Sequence, residues 1–383
     1  MEDSSAATQP SPIVTELPRF DSAAVIGRSL EPPSATKFRI PMINWALFLI
    51  TLLTTTMAGA SQTETPFSLL HPLATFSALS GGLTFSIPLM AILLAHEMGH
   101  YLTSRRYHVD TSLPYFIPAP VPSLFFIGTF GAFIRMRSVP RTRRAMFDIG
   151  AAGPWAGFVV SMIAIVIGLR WSQVAPLDTS QGGLDLGNSI IFWSVARVVL
   201  GIDPNSVNVN LHPTAFAGWV GILVTTLNLL PIGQLDGGHV IYALFGPRAH
   251  RIISRLVWVG CLLMAVIPYF LHLNFWPGWL LWFVLVLVLG LGHPTTLDID
   301  TRLQGGRRLA AWASVLLFVV TFSPVPFSIT APSAAAPTPD SDAPSYSVMY
   351  HLPERTPQIR PLAARKTMLY LGPCRGACLR AFL

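Results

Sequence analysis

Charge is scarce in this sequence. Only 11% of its 383 residues are Asp, Glu, Lys or Arg, while 52% are hydrophobic; an ordinary soluble domain carries roughly twice that share of charge. Cysteine is scarcer still. Cys261 sits inside an apolar run and fits a small core residue, whereas Cys374 and Cys378 lie four apart with no second pair. Three cysteines settle little, and a single disulfide or none suits the tail pair better than a metal site. Long internal repeats are also lacking. The longest stretches between apolar runs, 107–147 and 171–210, leave no room for a large soluble domain. No cleavable signal peptide is evident, since the polar, Pro- and Ser-rich residues 1–38 precede the first apolar run and read as a disordered cytoplasmic leader.

What is abundant is apolar sequence. Runs long enough to cross a bilayer occur near 42–60, 84–104, 148–170, 211–232, 252–271, 276–292 and 308–327. The expected fold class is an all-α polytopic membrane protein of about seven transmembrane helices. The membrane-embedded domain would occupy 39–327, with its core at 84–300 and a weakly structured tail at 328–383. The net charge of +7 could suggest nucleic acid, but no aromatic-interleaved basic domain accompanies it. The basic residues instead cluster where alternating spans would place one side of a membrane: Arg19 to Arg39, Arg105 with Arg106 and "RMRSVPRTRR", Arg248 to Arg255, and Arg302 to Arg308. Opposite loops offer almost only Arg170 and Arg197. By the positive-inside rule the N-terminus is expected in the cytoplasm.

Acidic residues are nearly missing from the apolar runs, so the two that occur stand out. Glu97 lies in "HEMGH" and Asp236 in "NLLPIGQLDGGH", with Asp148 at a run boundary. His96 and His100 are four apart, so a helix aims both from one face at one ion. Glu97 between them is placed to take a proton from an attacking water and hand it to a leaving amine. Free imidazole and carboxylate are costly in a low-dielectric span; a divalent cation makes them tolerable. HExxH alone also fits a polar bundle interior, or a soluble zinc protease with an anchor. The second motif decides between these. Pro231 and the "DGG" glycines are expected to break a helix and turn Asp236 inward as a third ligand. Charge counting carries both motifs to the same end of their spans, which the motifs themselves do not guarantee.

HExxH in one span with NxxPxxxxDG in another resembles the site-2 protease family, the membrane-embedded zinc metalloproteases of the M50 type. The similarity covers roughly residues 84–300. It implies that His96, His100 and Asp236 hold one Zn²⁺ and that Glu97 is the catalytic base. It also implies that Asn228 helps hold the substrate or its oxyanion. The short loops are similar to the bacterial and chloroplast branch without a PDZ insert. Single-pass membrane proteins are the implied substrates, cut in or near their transmembrane segments.

Several stretches support a site. "SLPYFIPAPVPSLFFIGTFGAFIRMRS" holds four prolines and reads as a short re-entrant β-hairpin near the active site, able to pair with an unwound substrate strand. "DIGAAGPWAGF" offers small residues for close helix packing. His239 follows the DGG and is a candidate for substrate contact; His108, His212 and His293 read as polar boundary residues. A transporter with a translocated ion, and a catalytically idle scaffold of the same fold, remain as alternatives. The absent repeat counts against the first, and the intact motifs count against the second. A bacterial inner membrane is the expected location. Neither substrate identity nor oligomeric state follows from the sequence.

Overall fold

The computed structural model describes residues 41–62, 72–119, 127–176, 183–187, 189–273, 275–294, 296, 298, 302–330 and 369–371. The leader, most of the tail with Cys374 and Cys378, and Pro120 and Pro122 of the hairpin connection lie outside them.

The described residues are mostly helical. Helix α1 spans Met42–Ala60, α2 Pro72–Arg106, α3 Arg143–Arg170, α4 Ile190–Leu200, α5 Pro213–Asn228, α6 Asp236–Phe245, α7 Pro247–Phe270, α8 Gly278–Leu289 and α9 Gly305–Thr321. Four of these are long and apolar enough to cross a membrane: α1, α2 from Ser77, α3 and α7. The other three expected spans correspond to α5, α8 and α9, of 16, 12 and 17 residues. At about 1.5 Å per residue they fall short of a hydrocarbon core of roughly 30 Å. Local chemistry sets their ends. The backbone turns at Leu229 before Pro231 after α5, at the left-handed Gly290 after α8, and at Phe322 before Pro324 after α9.

Small residues set the helix spacing. A Cβ on Gly59 of α1 would stand 2.5 Å from the Gly82 carbonyl of α2, and one on Gly218 of α5 would stand 2.6 Å from the Ile165 side chain of α3. Such approaches let backbones pack by van der Waals contact where lipid offers no hydrophobic driving force between helices. The largest buried cluster lies among α1, α2, α3 and α5, with Phe85 and Phe216 stacked at 5.5 Å. The outward faces are apolar as well, with Leu49, Ile163, Leu256 and Leu263 exposed.

An antiparallel strand pair forms in the stretch expected as a hairpin, with the connection at 120–126 outside the described residues. Strands β1 (Tyr115–Pro118) and β2 (Thr129–Phe133) pair antiparallel, Tyr115 opposite Phe133, and Asn44 of α1 donates 2.8 Å to the Pro114 carbonyl. A purely helical chain, however, is not what forms. The stretch 171–210, expected as a loop, contains β3 (Gln173–Ala175), β4 (Gly183–Leu186), α4 and β5 (Asn208–Asn210). β3 pairs with β5, while β4 lies between β6 (Phe327–Thr330) and β7 (Leu369–Leu371). These strands of three or four residues pair with distant sequence, so their formation rests on tertiary contact rather than local pattern.

Candidate metal centre

The HExxH helix is interrupted by nothing. α2 runs unbroken through residues 91–106, so His96 and His100 stand one turn apart with rings 4.9 Å between centroids. His96, Glu97 and His100 are all buried. The third group arrives from the broken segment after α5. Asp236 is the first residue of α6, and its Oδ2 lies 3.4 Å from His96 Nε2 and 3.3 Å from His100 Nε2. The two Nε2 atoms are 3.2 Å apart. Glu97 does not join this triangle.

That triangle suits a metal ion. Donors held about 2.0–2.1 Å from a tetrahedral Zn²⁺ stand about 3.3–3.4 Å from one another, which is the observed spacing. His100 Nδ1 contacts the Ile149 carbonyl at 2.8 Å; only an N–H can donate there, so Nε2 keeps its lone pair for a metal. Lone pairs and a carboxylate converging in a buried site repel one another unless a cation lies between them. Among the described residues, these three form the one group of His, Cys, Asp or Glu ligands close enough to share an ion.

The stripe of small residues on α3 builds the back wall. A Cβ on Gly153 would overlap the His100 imidazole, one on Gly157 would meet His96 Nδ1 at 3.1 Å, and one on Gly150 would meet His239 Cβ at 2.7 Å. Glycines at 150, 153 and 157 thus lay one face of α3 directly against three histidines. On the HExxH helix itself, Gly99 faces the Ala152 carbonyl, leaving 2.5 Å for a Cβ.

The DGG glycines do something other than expected. The helix breaks earlier, between Asn228 and Asp236, and Gly237 and Gly238 lie inside the first turn of α6. Their missing side chains make room for the Leu229 and Gly233 carbonyls of the turn before them. Gly233 adopts φ +51, the left-handed region that favours glycine. Helix α7 grips it from both sides: His250 Nε2 is 3.0 Å from its carbonyl, and its N–H donates 3.2 Å to Ser254 Oγ.

Asn228, the last residue of α5, brings its Nδ2 to 3.4 Å from His96 Nε2, at the rim of the ligand group. His239 is buried, but its Nδ1 is joined at 2.7 Å to His293 Nε2. His293 is therefore no boundary residue; it stacks on Tyr242 at 4.1 Å and contacts the Pro294 carbonyl through Nδ1. Asp148 binds Arg307 and Tyr107 rather than the ligand group. His212 caps α5. The hairpin borders the site, because the Ile134 backbone, directly after β2, reaches the Glu97 carboxylate. Sequence reasoning missed the Ile149 carbonyl, His250, Ser254 and His293. The i, i+3, i+7 spacing of the α3 glycines was the one visible signal for the back wall.

Residues 84–267 match the family model described as Peptidase family M50. The chain carries a peptidase family M50 domain. It is 37% identical over 170 residues to a probable zinc metalloprotease EGY1, chloroplastic, of Oryza sativa subsp. japonica, covering 42% of this chain and 28% of that protein. A probable zinc metalloprotease EGY2, chloroplastic, of Arabidopsis thaliana is 27% identical over 257 residues, covering 66% and 43%. The chain thus spans less than half the length of these relatives. The M50 match agrees with the resemblance read from the two motifs; Zn²⁺ is the metal that these relatives imply, and His96, His100 and Asp236 lie close enough together to bind one. The chloroplastic names give no support to a bacterial inner membrane.

Proposed function

We propose that the chain is an intramembrane zinc endopeptidase that hydrolyses peptide bonds in or near the transmembrane segments of membrane-anchored, single-pass proteins. One observation carries this reading: buried His96 and His100 converge with half-buried Asp236, while buried Glu97, the direct sequence neighbour of His96, stays outside that group. A structural metal site needs no such base.

The M50 domain would lie within a membrane-embedded unit at 39–327, with α5, α8 and α9 completing seven spans around the four long helices. Bound Zn²⁺ supplies Lewis acidity. The chain's own residues do the rest. Glu97 takes a proton from the attacking water and delivers it to the leaving amine nitrogen as the C–N bond breaks. Asn228 Nδ2 sits where a donor can meet the developing oxyanion. His100 is held in its ligating tautomer by the Ile149 carbonyl. Burial by α2, α3 and α6 excludes bulk water. A helical substrate hides its carbonyls, and the re-entrant β1–β2 hairpin next to Glu97 offers an edge on which an unwound strand can pair. His239 stands behind the ligands and contributes through its link to His293.

The test compares native chain with Glu97→Gln, which keeps the ligands and loses the base. Single-pass proteins enriched on the variant, and shortened only in cells holding the native enzyme, are expected. Identical membrane proteomes for both would point to the idle scaffold.

A further inference from the structure

A cavity of about 330 Å³ opens between α2, α3 and α9, away from the ligand triangle. Its lining is ordered by depth. Arg106, Tyr107, Asp148 and Arg307 lie at one end; Ala151, Ala152, Trp155 and Ala310 lie toward the other. Asp148 and Trp155 are seven residues apart on α3, about 10 Å along a helix. α2 ends at the polar rim, and both α3 and α9 begin there, so all three helices grade from charged to apolar in the same direction.

The charges at the rim are not balanced. Arg307 Nε donates to both Asp148 oxygens at 3.1 and 3.0 Å, and its Nη2 donates to Tyr107 Oη at 3.3 Å. The Tyr107 hydroxyl also donates to Asp148. That carboxylate is spent on its own cluster. Arg106, exposed on the rim, has no acidic partner among the described residues. Below it, the Trp155 indole N–H donates 3.0 Å to Ser314 Oγ of α9, which fixes the ring as a wall.

We infer that this cavity binds one phospholipid with a net-anionic headgroup, its phosphate on Arg106 beside Arg307 and an acyl chain along Ala152, Trp155 and Ala310. A cationic rim at the end of a spanning helix is where membrane proteins meet lipid phosphates. The apolar lower half is surface that a free phosphate would leave wet, which selects a lipid over a soluble anion. The inference rests on α2 and α3 spanning the bilayer. The lipid would also brace α9 against the catalytic helix, since Thr103 in the lining is one turn beyond His100.

The test uses full-length chain in nanodiscs of equal phosphatidylglycerol and phosphatidylcholine, with retained lipid counted by native mass spectrometry. One phosphatidylglycerol per native chain is expected. Arg106→Gln should lower that preference about tenfold, the loss of one charge-assisted contact. Arg105→Gln, the same charge change on an exposed residue outside the cavity, should leave it intact. Ala310→Phe, which fills the apolar end from an exposed position, should abolish retention. Phosphatidylglycerol should raise the melting temperature of delipidated chain, and inorganic phosphate should not. Equal loss from Arg106→Gln and Arg105→Gln, or equal stabilisation by phosphate, would overturn the lipid site. Recovery of the native chain in the aqueous fraction after an alkaline wash would instead overturn the spanning reading beneath it.

Discussion

At Gly153 there is no space for one more carbon, because the His100 imidazole lies where a side chain would begin. Gly153→Ala must push that ring off Asp236 or push α3 away from α2. Overpacking of this kind costs about 1–3 kcal/mol, and here it also moves a ligand. The expected outcome is a chain that inserts into membranes but retains little zinc, measured by metal analysis of purified protein. Gly260→Ala on α7 is the control. A Cβ there meets nothing within 4 Å, so zinc should be unchanged and stability should rise by up to about 1 kcal/mol from helix propensity. Equal zinc contents in the two variants would mean that the glycine wall does not position His100. This residue-level role was half legible. Small residues in "DIGAAGPWAGF" announce close packing, but which side chains they receive depends on how α3 is laid across α2, and no periodicity encodes that.

On the scale of elements, the decisive feature is the break between α5 and α6. Leu229 to Leu235 carry the chain round so that Asp236 enters at the start of a new helix rather than at the end of an old one. Pro231 made a break legible. The position of the turn was not, because it is set from outside, by His250 and Ser254 of α7 holding the two backbone groups of Gly233. His250→Ala leaves the Gly233 carbonyl buried without that contact and frees the turn that carries Asp236. Zinc affinity should fall about tenfold, the low end for loss of an outer partner of a metal site. Competition with a chromophoric chelator measures it. Native affinity in His250→Ala would show that α6 holds Asp236 without help from α7. The strands of 173–210 were illegible for a related reason: runs this short take their structure from partners distant in sequence, β3 and β5 from each other and β4 from β6 and β7.

For the whole molecule, two motifs far apart in sequence meet because α3 packs against both of their helices. Its N-terminal half backs His96 and His100, and buried Arg143 at its start donates 3.1 and 2.7 Å to the Tyr242 and Ala243 carbonyls of α6. HExxH and the lone aspartate of the second motif made the candidate ligands legible, since charge inside apolar sequence demands a partner. The helix count was less so: apolar runs predict seven spans, whereas four helices among the described residues are long and apolar enough to cross a membrane, the turns before Pro231 and Pro324 and at Gly290 ending α5, α9 and α8 early.

In the proposed mechanism His96, His100 and Asp236 jointly hold one zinc ion while Glu97 stands apart as the base. Metal analysis of full-length chain purified from membranes tests it most directly, comparing native protein with Asp236→Ala and Glu97→Gln. About one zinc per chain is expected in the native and Glu97→Gln proteins, as for any three-ligand catalytic site, with zinc lost from Asp236→Ala. A native zinc content in Asp236→Ala, or loss of the metal from Glu97→Gln, would contradict that division of roles.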